Sequence, residues 1–145
     1  MIRSRGLQYH YPGGPALAFP DVDVPQGGLL LVQGRSGTGK STWLALVAGL
    51  LAPEGELTVA GQDLRALPRS ARDVWRGRAV GFLPQRLHLS DALDVKGNLA
   101  LAYFAASLPR DDTAISATLA ALQVRELAHR RPGQLSGGQA QRVAL

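Results

Sequence analysis

The chain has 145 residues, of which 46% are hydrophobic and 19% charged, a balance typical of a soluble globular domain with its own core. It has no cysteine, which excludes disulfides, thiol catalysis and cysteine-based zinc sites. The net charge of +5 is compatible with nucleic acid, an acidic ligand or an anionic membrane as partner. The arginines are scattered and no aromatic residues interleave with them, so no nucleic-acid partner is expected.

Two observations bear on membranes and export. The first six residues are followed by no apolar segment, so no secretion signal is expected. The longest apolar stretch, residues 99–106, is too short to span a bilayer. The patterns therefore favour a chain that works without a membrane span of its own.

The N-terminal part predicts strands separated by turns. Residues 2–11 form a first strand, and residues 16–24 a second, in which Pro20 favours an edge or a bulge. Proline and glycine clusters at residues 12–15 and 25–28 predict the turns. The apolar run Leu29-Leu30-Leu31-Val32-Gln33 predicts a buried strand.

The next segment carries the motif around which the chain is organised. Gly34-Arg35-Ser36-Gly37-Thr38-Gly39-Lys40-Ser41, followed by Thr42, fits the phosphate-binding pattern Gly-x-x-x-x-Gly-Lys-Ser/Thr at every fixed position. Glycines allow successive N–H groups to converge on a polyphosphate, and a buried helix from Lys40 to Gly49 adds its dipole. Lys40 is predicted to reach the β- and γ-phosphates and Ser41 to hold Mg²⁺. A glycine-rich turn ending in Lys-Ser by chance is the alternative, and the flanking strand and helix speak against it.

The middle of the chain continues with short elements and then changes character. Residues 56–59 predict a strand, and residues 68–78 a helix with four charged residues on solvated positions, namely Arg69, Arg72, Asp73 and Arg76. Residues 79–83 predict a short apolar strand closed by Pro84. Residues 94–122 are rich in Ala and Leu and predict two helices broken at Leu108-Pro109.

A second motif, Leu135-Ser136-Gly137-Gly138-Gln139, stands near the end of the sequence. Ser136 can cap a helix that begins at Gly137, and both glycines allow a phosphate to approach the backbone. Taken alone, these five residues leave two interpretations open, an anion site and an ordinary helix cap.

Together the two motifs resemble the ATP-binding subunit of an ABC transporter over essentially the whole chain. Leu-Ser-Gly-Gly-Gln followed by Ala140-Gln141-Arg142-Val143-Ala144 is that family's signature motif. The distance from Ser41 to Ser136 suits a transporter subunit, and no heptad repeat fills it as in chromosome-maintenance relatives. The stretch from Asp63 to Phe82 resembles the lipoprotein-releasing and macrolide-export branch.

The resemblance implies an α/β fold, a P-loop NTPase domain of ABC type. It would comprise an N-terminal antiparallel β region with a RecA-like core strand, phosphate loop and helix (residues 1–85), a helical subdomain (86–134), and a signature segment (135–145). ATP and Mg²⁺ are the implied cofactors, with Ser41 and Gln85 at the metal. The implied ATP contacts are Tyr11, Gly34, Arg35, Ser36, Gly37, Thr38, Gly39, Lys40, Ser41, Thr42, Gln85 and, on the other subunit's nucleotide, Ser136, Gly137, Gly138 and Gln139.

Two of these residues also have an ordinary structural interpretation, without a role in ATP binding. Tyr11 matches the aromatic loop whose ring stacks on adenine, and the alternative is a strand-end tyrosine packed on the core. Gln85 matches the glutamine that senses the metal and γ-phosphate, and the alternative is a solvated loop amide.

The resemblance also implies partners and a location. A second ATP-binding subunit would form a head-to-tail dimer with two ATP molecules at its interface. A membrane-spanning permease subunit would dock near Gln85 and the helical subdomain. The chain is therefore expected in the cytoplasm, peripheral on the inner face of the cell membrane.

The chain departs from the family in its catalytic groups. The family needs an apolar strand ending in Asp-Glu, and this sequence has no Asp-Glu pair. Asp111-Asp112 is expected to begin a helix instead. None of the histidines, His10, His88 and His129, fits the late switch position. We therefore expect the front part of a domain, with the C-terminal part of the core absent, that binds ATP at best.

Two other functions are alternatives to the transporter. One is a non-transport ABC protein acting on nucleic acid or ribosomes, which a duplicated cassette or a basic tail would favour. The other is a soluble P-loop kinase, in which the signature motif would have no role.

Overall fold

The structure is a computed structural model that describes residues 1–106 and 108–145. Ser107, which the sequence places in the helical stretch, lies outside the described residues. The chain divides into two compact units, Met1–Val80 and Gly81–Leu145, and each is treated by itself below.

The first unit is built on a five-stranded antiparallel sheet. Its strands are β1 (Ile2–His10), β2 (Ala16–Ala18), β3 (Val22–Val24), β4 (Glu54–Val59) and β5 (Gln62–Asp63). The order is β2-β1-β4-β5, and β3 also pairs with β1. The long strand β1 thus has β2 and β3 along one edge and β4 along the other, and it organises the sheet.

The predicted strand over residues 16–24 is two short strands in the structure. Residues 19–21 interrupt it, because Pro20 has no N–H for the ladder. The backbone N–H of Phe19 still donates to the carbonyl of Leu7 at 2.9 Å. The predicted strand at residues 56–59 begins two residues earlier than expected, at Glu54, and its end at Val59 is confirmed.

Two predicted strands are wrong. Residues 29–33 and 80–83 are irregular, and Ala79 is the last residue of a helix. A strand requires a ladder partner, and the described part of the chain offers none to either segment. Several of their apolar side chains are accordingly exposed, with Leu29 at 97% and Leu31 at 73%.

Two helices complete the first unit, α1 (Lys40–Val47) and α2 (Arg69–Ala79). Trp43 and Leu46 on α1 form one buried cluster with four side chains of the sheet and its following turn, Leu7, Leu57, Val59 and Leu64. Alternate residues of a strand point to one face of the sheet, so Leu57 and Val59 both reach this core. Helix α1 and the phosphate-binding motif before it are thereby fixed to the sheet.

The second unit is helical, with α3 (Val95–Ala105), α4 (Asp112–Ala121) and α5 (Gly137–Ala144). The predicted pair of helices with a break near Leu108-Pro109 is confirmed. Asp111 caps α4 by accepting from the backbone of Thr113 and Ala114, so its interpretation as a helix start is also confirmed. No helix of the described residues is long and apolar enough to cross a bilayer.

Gly55, the second residue of β4, provides a test of the sheet. Gly55 has φ of 87° and faces a bulge in β1, where an added Cβ would meet the carbonyl oxygen of Gly6 and lie 2.7 Å from its carbon. Gly61 has φ of 82° with nothing within 4 Å, so it is the matched control. Because only Gly55→Ala adds a clash, it should destabilise the chain by about 1–3 kcal/mol more than Gly61→Ala in urea unfolding. Equal losses would show that the bulge is not packed as described.

Candidate phosphate-binding site

The phosphate-binding motif forms an irregular loop that runs directly into α1. Gly37 and Gly39 have φ of 81° and 87°, a conformation that residues with a side chain rarely adopt. Gly39 occupies the N-cap of α1, where a Cβ would lie 3.1 Å from the Phe19 ring. Both glycines thus adopt backbone conformations that a side chain would disfavour, as the motif predicts, and Gly39 in addition packs closely against Phe19.

Lys40 is the first residue of α1 and reaches back over the loop. Its Nζ donates to the carbonyl oxygens of Gly34 at 2.8 Å and Arg35 at 2.6 Å. The Thr38 hydroxyl donates to the same Arg35 carbonyl at 2.9 Å. These three hydrogen bonds close the loop around the ammonium group. An anion bound at the loop would meet this positive charge and the N–H groups at the start of α1, which have no partner inside the helix.

The structure brings Tyr11 to the first turn of α1. The Tyr11 and Thr42 hydroxyls lie 3.1 Å apart, within hydrogen-bond distance. The Tyr11 ring also contacts Tyr9 edge to face, with centroids 4.8 Å apart. Tyr11 remains 45% exposed, and Thr42 is buried. The tyrosine is thus held beside Thr42 while nearly half of its surface stays exposed, a contact that sequence distance alone could not establish.

The remaining predicted residues belong to the second unit. Gln85 is exposed in an irregular segment. Ser136 caps α5, as predicted: its Oγ accepts from the Gln139 N–H at 3.3 Å, and the Gln139 side chain accepts from the Ser136 N–H at 2.9 Å. Gly137 and Gly138, in the first turn of α5, are exposed. This capping box holds the signature segment with its backbone at the surface.

Helix α5 is also tied to the end of α4. The Arg142 guanidinium donates to the carbonyl oxygens of Leu122, at 3.4 Å, and Gln123, at 3.2 Å. Carbonyls at a helix C-terminus lack partners within the helix, and a cation there is favourable. The motif gave no indication of this contact, because its partners lie about twenty residues earlier in the chain.

Sequence reasoning missed a cleft of about 370 Å³ beside the loop. Phe19, Leu30, Leu31 and Trp43 give it apolar walls, and Lys40 lies at its rim. The signal in the sequence is the apolar run at residues 29–33, whose composition predicts a buried strand but which lines the cleft instead. Sequence reasoning also treated Arg72 and Arg76 as solvated, whereas both are half-buried.

Comparison with known proteins now identifies the family. A family model described as ABC transporter matches residues 19–145. The chain belongs to this family. The resemblance inferred from the two motifs is thereby confirmed.

Curated relatives in the family are named as transporter components. The ATP-binding protein UgpC for sn-glycerol-3-phosphate import, from Chromohalobacter salexigens, is 40% identical over 99% of this chain and 38% of its own length. The macrolide export protein MacB of Rhodopseudomonas palustris is 34% identical over 99% of the chain and 23% of its own length. The lipoprotein-releasing protein LolD of C. salexigens is 34% identical over 100% of the chain and 64% of its own length. The chain thus spans less than two thirds of these relatives.

Solved structures agree on the fold. A dimeric structure of the ATP-binding cassette MJ0796, bound to ADP and Pi, matches with a TM-score of 0.86 and 25% identity. The match covers 99% of this chain and 67% of that one. The chain therefore has the α/β fold of an ABC cassette, and the predicted fold class is confirmed.

The Tyr11–Thr42 hydrogen bond can be tested by a double-mutant cycle. Tyr11→Phe should cost about 1 kcal/mol of unfolding free energy, the usual net value of one hydrogen bond. In the Thr42→Val background the same substitution should cost almost nothing, since its partner is gone. Tyr9→Phe is the control, because the Tyr9 hydroxyl has no hydrogen bond to the described residues. Additive losses for Tyr11 and Thr42 would contradict the contact.

Proposed function

We propose that the chain is the ATP-binding part of an ABC transporter, which couples ATP binding and hydrolysis to transport across a membrane. One observation carries the proposal: Lys40 begins α1 and its ammonium lies against the carbonyls of Gly34 and Arg35. A glycine loop, a helix N-terminus and a lysine thus converge on one point, which suits the β- and γ-phosphates of a nucleotide.

The residues around this point fit ATP–Mg²⁺. The left-handed glycines leave room for phosphate oxygens near the backbone, and Lys40 supplies charge. Ser41, exposed in the first turn of α1, is suited to hold Mg²⁺. For Gln85 the proposed role at the metal rests on its sequence motif alone. Tyr11 would stack on adenine with its open face. The bound metal would neutralise phosphate charge. The proposed loop contacts are Gly34, Arg35, Ser36, Gly37, Thr38, Gly39, Lys40, Ser41 and Thr42.

The two motifs have different proposed roles. Residues 1–85 would hold the subunit's own nucleotide, residues 86–134 form the helical subdomain, and residues 135–145 present the signature. Ser136, Gly137, Gly138 and Gln139 would contact the γ-phosphate bound to a second, head-to-tail subunit. The exposed glycines at the start of α5 support this, as does the dimeric state of the matched cassette MJ0796.

The transporter context implies a membrane partner. A permease subunit would dock near Gln85 and the helical subdomain, which places the chain in the cytoplasm against the membrane. The relatives' names support transport over a role on nucleic acid or ribosomes. Since the sequence has no Asp-Glu pair, we propose that this 145-residue chain alone binds ATP without steady hydrolysis.

Substitution of Lys40 tests the nucleotide site. Lys40→Ala removes a charge-assisted hydrogen bond worth about 1.5–3 kcal/mol, so ATP–Mg²⁺ should bind about ten- to a hundredfold more weakly in titration calorimetry. Lys96→Ala is the matched control, because Lys96 pairs with Asp112 in α4 and lies outside the loop motif. Equal affinity of the Lys40→Ala and Lys96→Ala variants would refute the loop assignment.

Substitution of Ser136 tests the dimer. Aspartate and asparagine both cap helices well, so Ser136→Asp and Ser136→Asn should leave α5 folded. Only aspartate adds a negative charge facing the second subunit's phosphates. ATP-dependent self-association of Ser136→Asp should therefore be about tenfold weaker or more than that of Ser136→Asn, by analytical ultracentrifugation. Equal association of the two variants, or none in the unsubstituted chain, would contradict the role in trans.

A further inference from the structure

A second charged cavity lies in the first unit, at the opposite end of α1 from the phosphate loop. Its volume is about 570 Å³, within the range of about 300–1,000 Å³ usual for small-molecule pockets. The turn after α1, residues 49–52, forms one wall, and the other is one face of α2. Trp75 holds the two walls together, since a Cβ on Gly49 would lie 3.0 Å from its ring.

The α2 wall carries three arginines and one aspartate, Arg69, Arg72, Asp73 and Arg76. Their spacing of three and four residues places the arginines on one face of the helix. Arg76 is already used: it pairs with Asp73 at 2.9 Å and donates to the Gly49 carbonyl at 3.3 Å. Arg69 and Arg72 have no ion pair among the described residues, so two positive charges remain uncompensated.

Arg72 is the unusual member of this group. Its Nε and Nη1 are buried, and neither has a hydrogen-bond partner among the described residues. Leaving a buried charged donor unpaired is unfavourable, so a rotamer that turns these donors toward an acceptor in the cavity is favoured. A guanidinium donates charge-assisted hydrogen bonds to phosphate. A phosphate dianion would also balance both free charges, whereas one carboxylate would balance only one.

We propose that this cavity binds a phosphate group held between Arg69 and Arg72, as a site separate from the phosphate loop. The cavity is larger than a phosphate ion, so the ligand class includes phosphate monoesters whose organic part contacts Leu50 and Leu51. Arg76 contributes to the positive electrostatic potential of the cavity and keeps its contacts to Asp73 and Gly49.

Inorganic phosphate is the probe, titrated into the full chain while the arginine Nε–H and backbone amide signals are followed by NMR. Lys40→Ala serves as the background, so that binding at the phosphate loop does not mask the second site. Saturable shifts of the Arg72 Nε–H are expected. The Arg69→Gln/Arg72→Gln variant should bind phosphate about tenfold more weakly or worse, because it loses two charge-assisted contacts.

Arg78→Gln is the matched control, since it removes the same charge from α2 at an exposed position outside the cavity. Its phosphate affinity should be unchanged. Arg72→Lys keeps the charge but loses the planar fork, and a several-fold loss is expected there even if the double variant does not fold. Any of three results would overturn the proposal. The titration does not saturate, phosphate affinity is unchanged in both Arg72→Lys and the folded double variant, or Arg78→Gln loses as much phosphate affinity as the double variant.

A second arm distinguishes a soluble phosphate from a lipid headgroup. Vesicles of phosphatidylcholine with and without phosphatidic acid are sedimented with the chain in the same background. A lipid headgroup in the cavity predicts three results. The chain sediments only with vesicles that contain phosphatidic acid, inorganic phosphate competes with this sedimentation, and Arg69→Gln/Arg72→Gln abolishes it. Phosphate binding without sedimentation would restrict the cavity to soluble ligands. Sedimentation that survives the double substitution would contradict a lipid source.

Discussion

Helix α1 is held on the sheet by Trp43 and Leu46, which share a buried cluster with Leu7 and Leu57. Burying side chains of this size contributes about 1.5–3 kcal/mol each, far more than any single contact of the exposed loop before the helix. The position of the glycine loop, the reach of Lys40 and the Tyr11–Thr42 hydrogen bond all depend on this packing. The positions of these polar groups are therefore determined by apolar packing between α1 and the sheet.

The two proposed anion sites at the ends of α1 use different sources of positive charge. At the start of α1, Gly37 and Gly39 have no side chains, so an anion could approach both the backbone N–H groups and Lys40. At its end, where backbone carbonyls repel anions, positive charge comes from side chains of α2, notably Arg69 and Arg72. A helix C-terminus needs such neighbours, because its own dipole has the wrong sign.

The signature segment shows how a surface motif is kept in shape. Ser136 and Gln139 satisfy each other's backbone groups, and Arg142 fastens the same helix to the end of α4. Gly137 and Gly138 contribute no side chain and stay at the surface. Hydrogen bonds of its polar and charged residues hold the segment in place, and its glycines remain available to a partner's phosphate in the proposed dimer.

The sequence by itself determined what depends on local chemistry. The phosphate loop, the Ser136 and Asp111 caps, the helices of the second unit and the family followed from residues close together in the chain, because capping and glycine geometry are local. Only the tertiary structure decided what depends on distant neighbours. The apolar runs at residues 29–33 and 80–83 have strand composition but no ladder partner in the described chain, so they are not strands. Tyr11 meets Thr42, and Arg72 lies half-buried beside residues 49–52, because of how the elements pack in the first unit. Spacing along the chain does not encode these contacts.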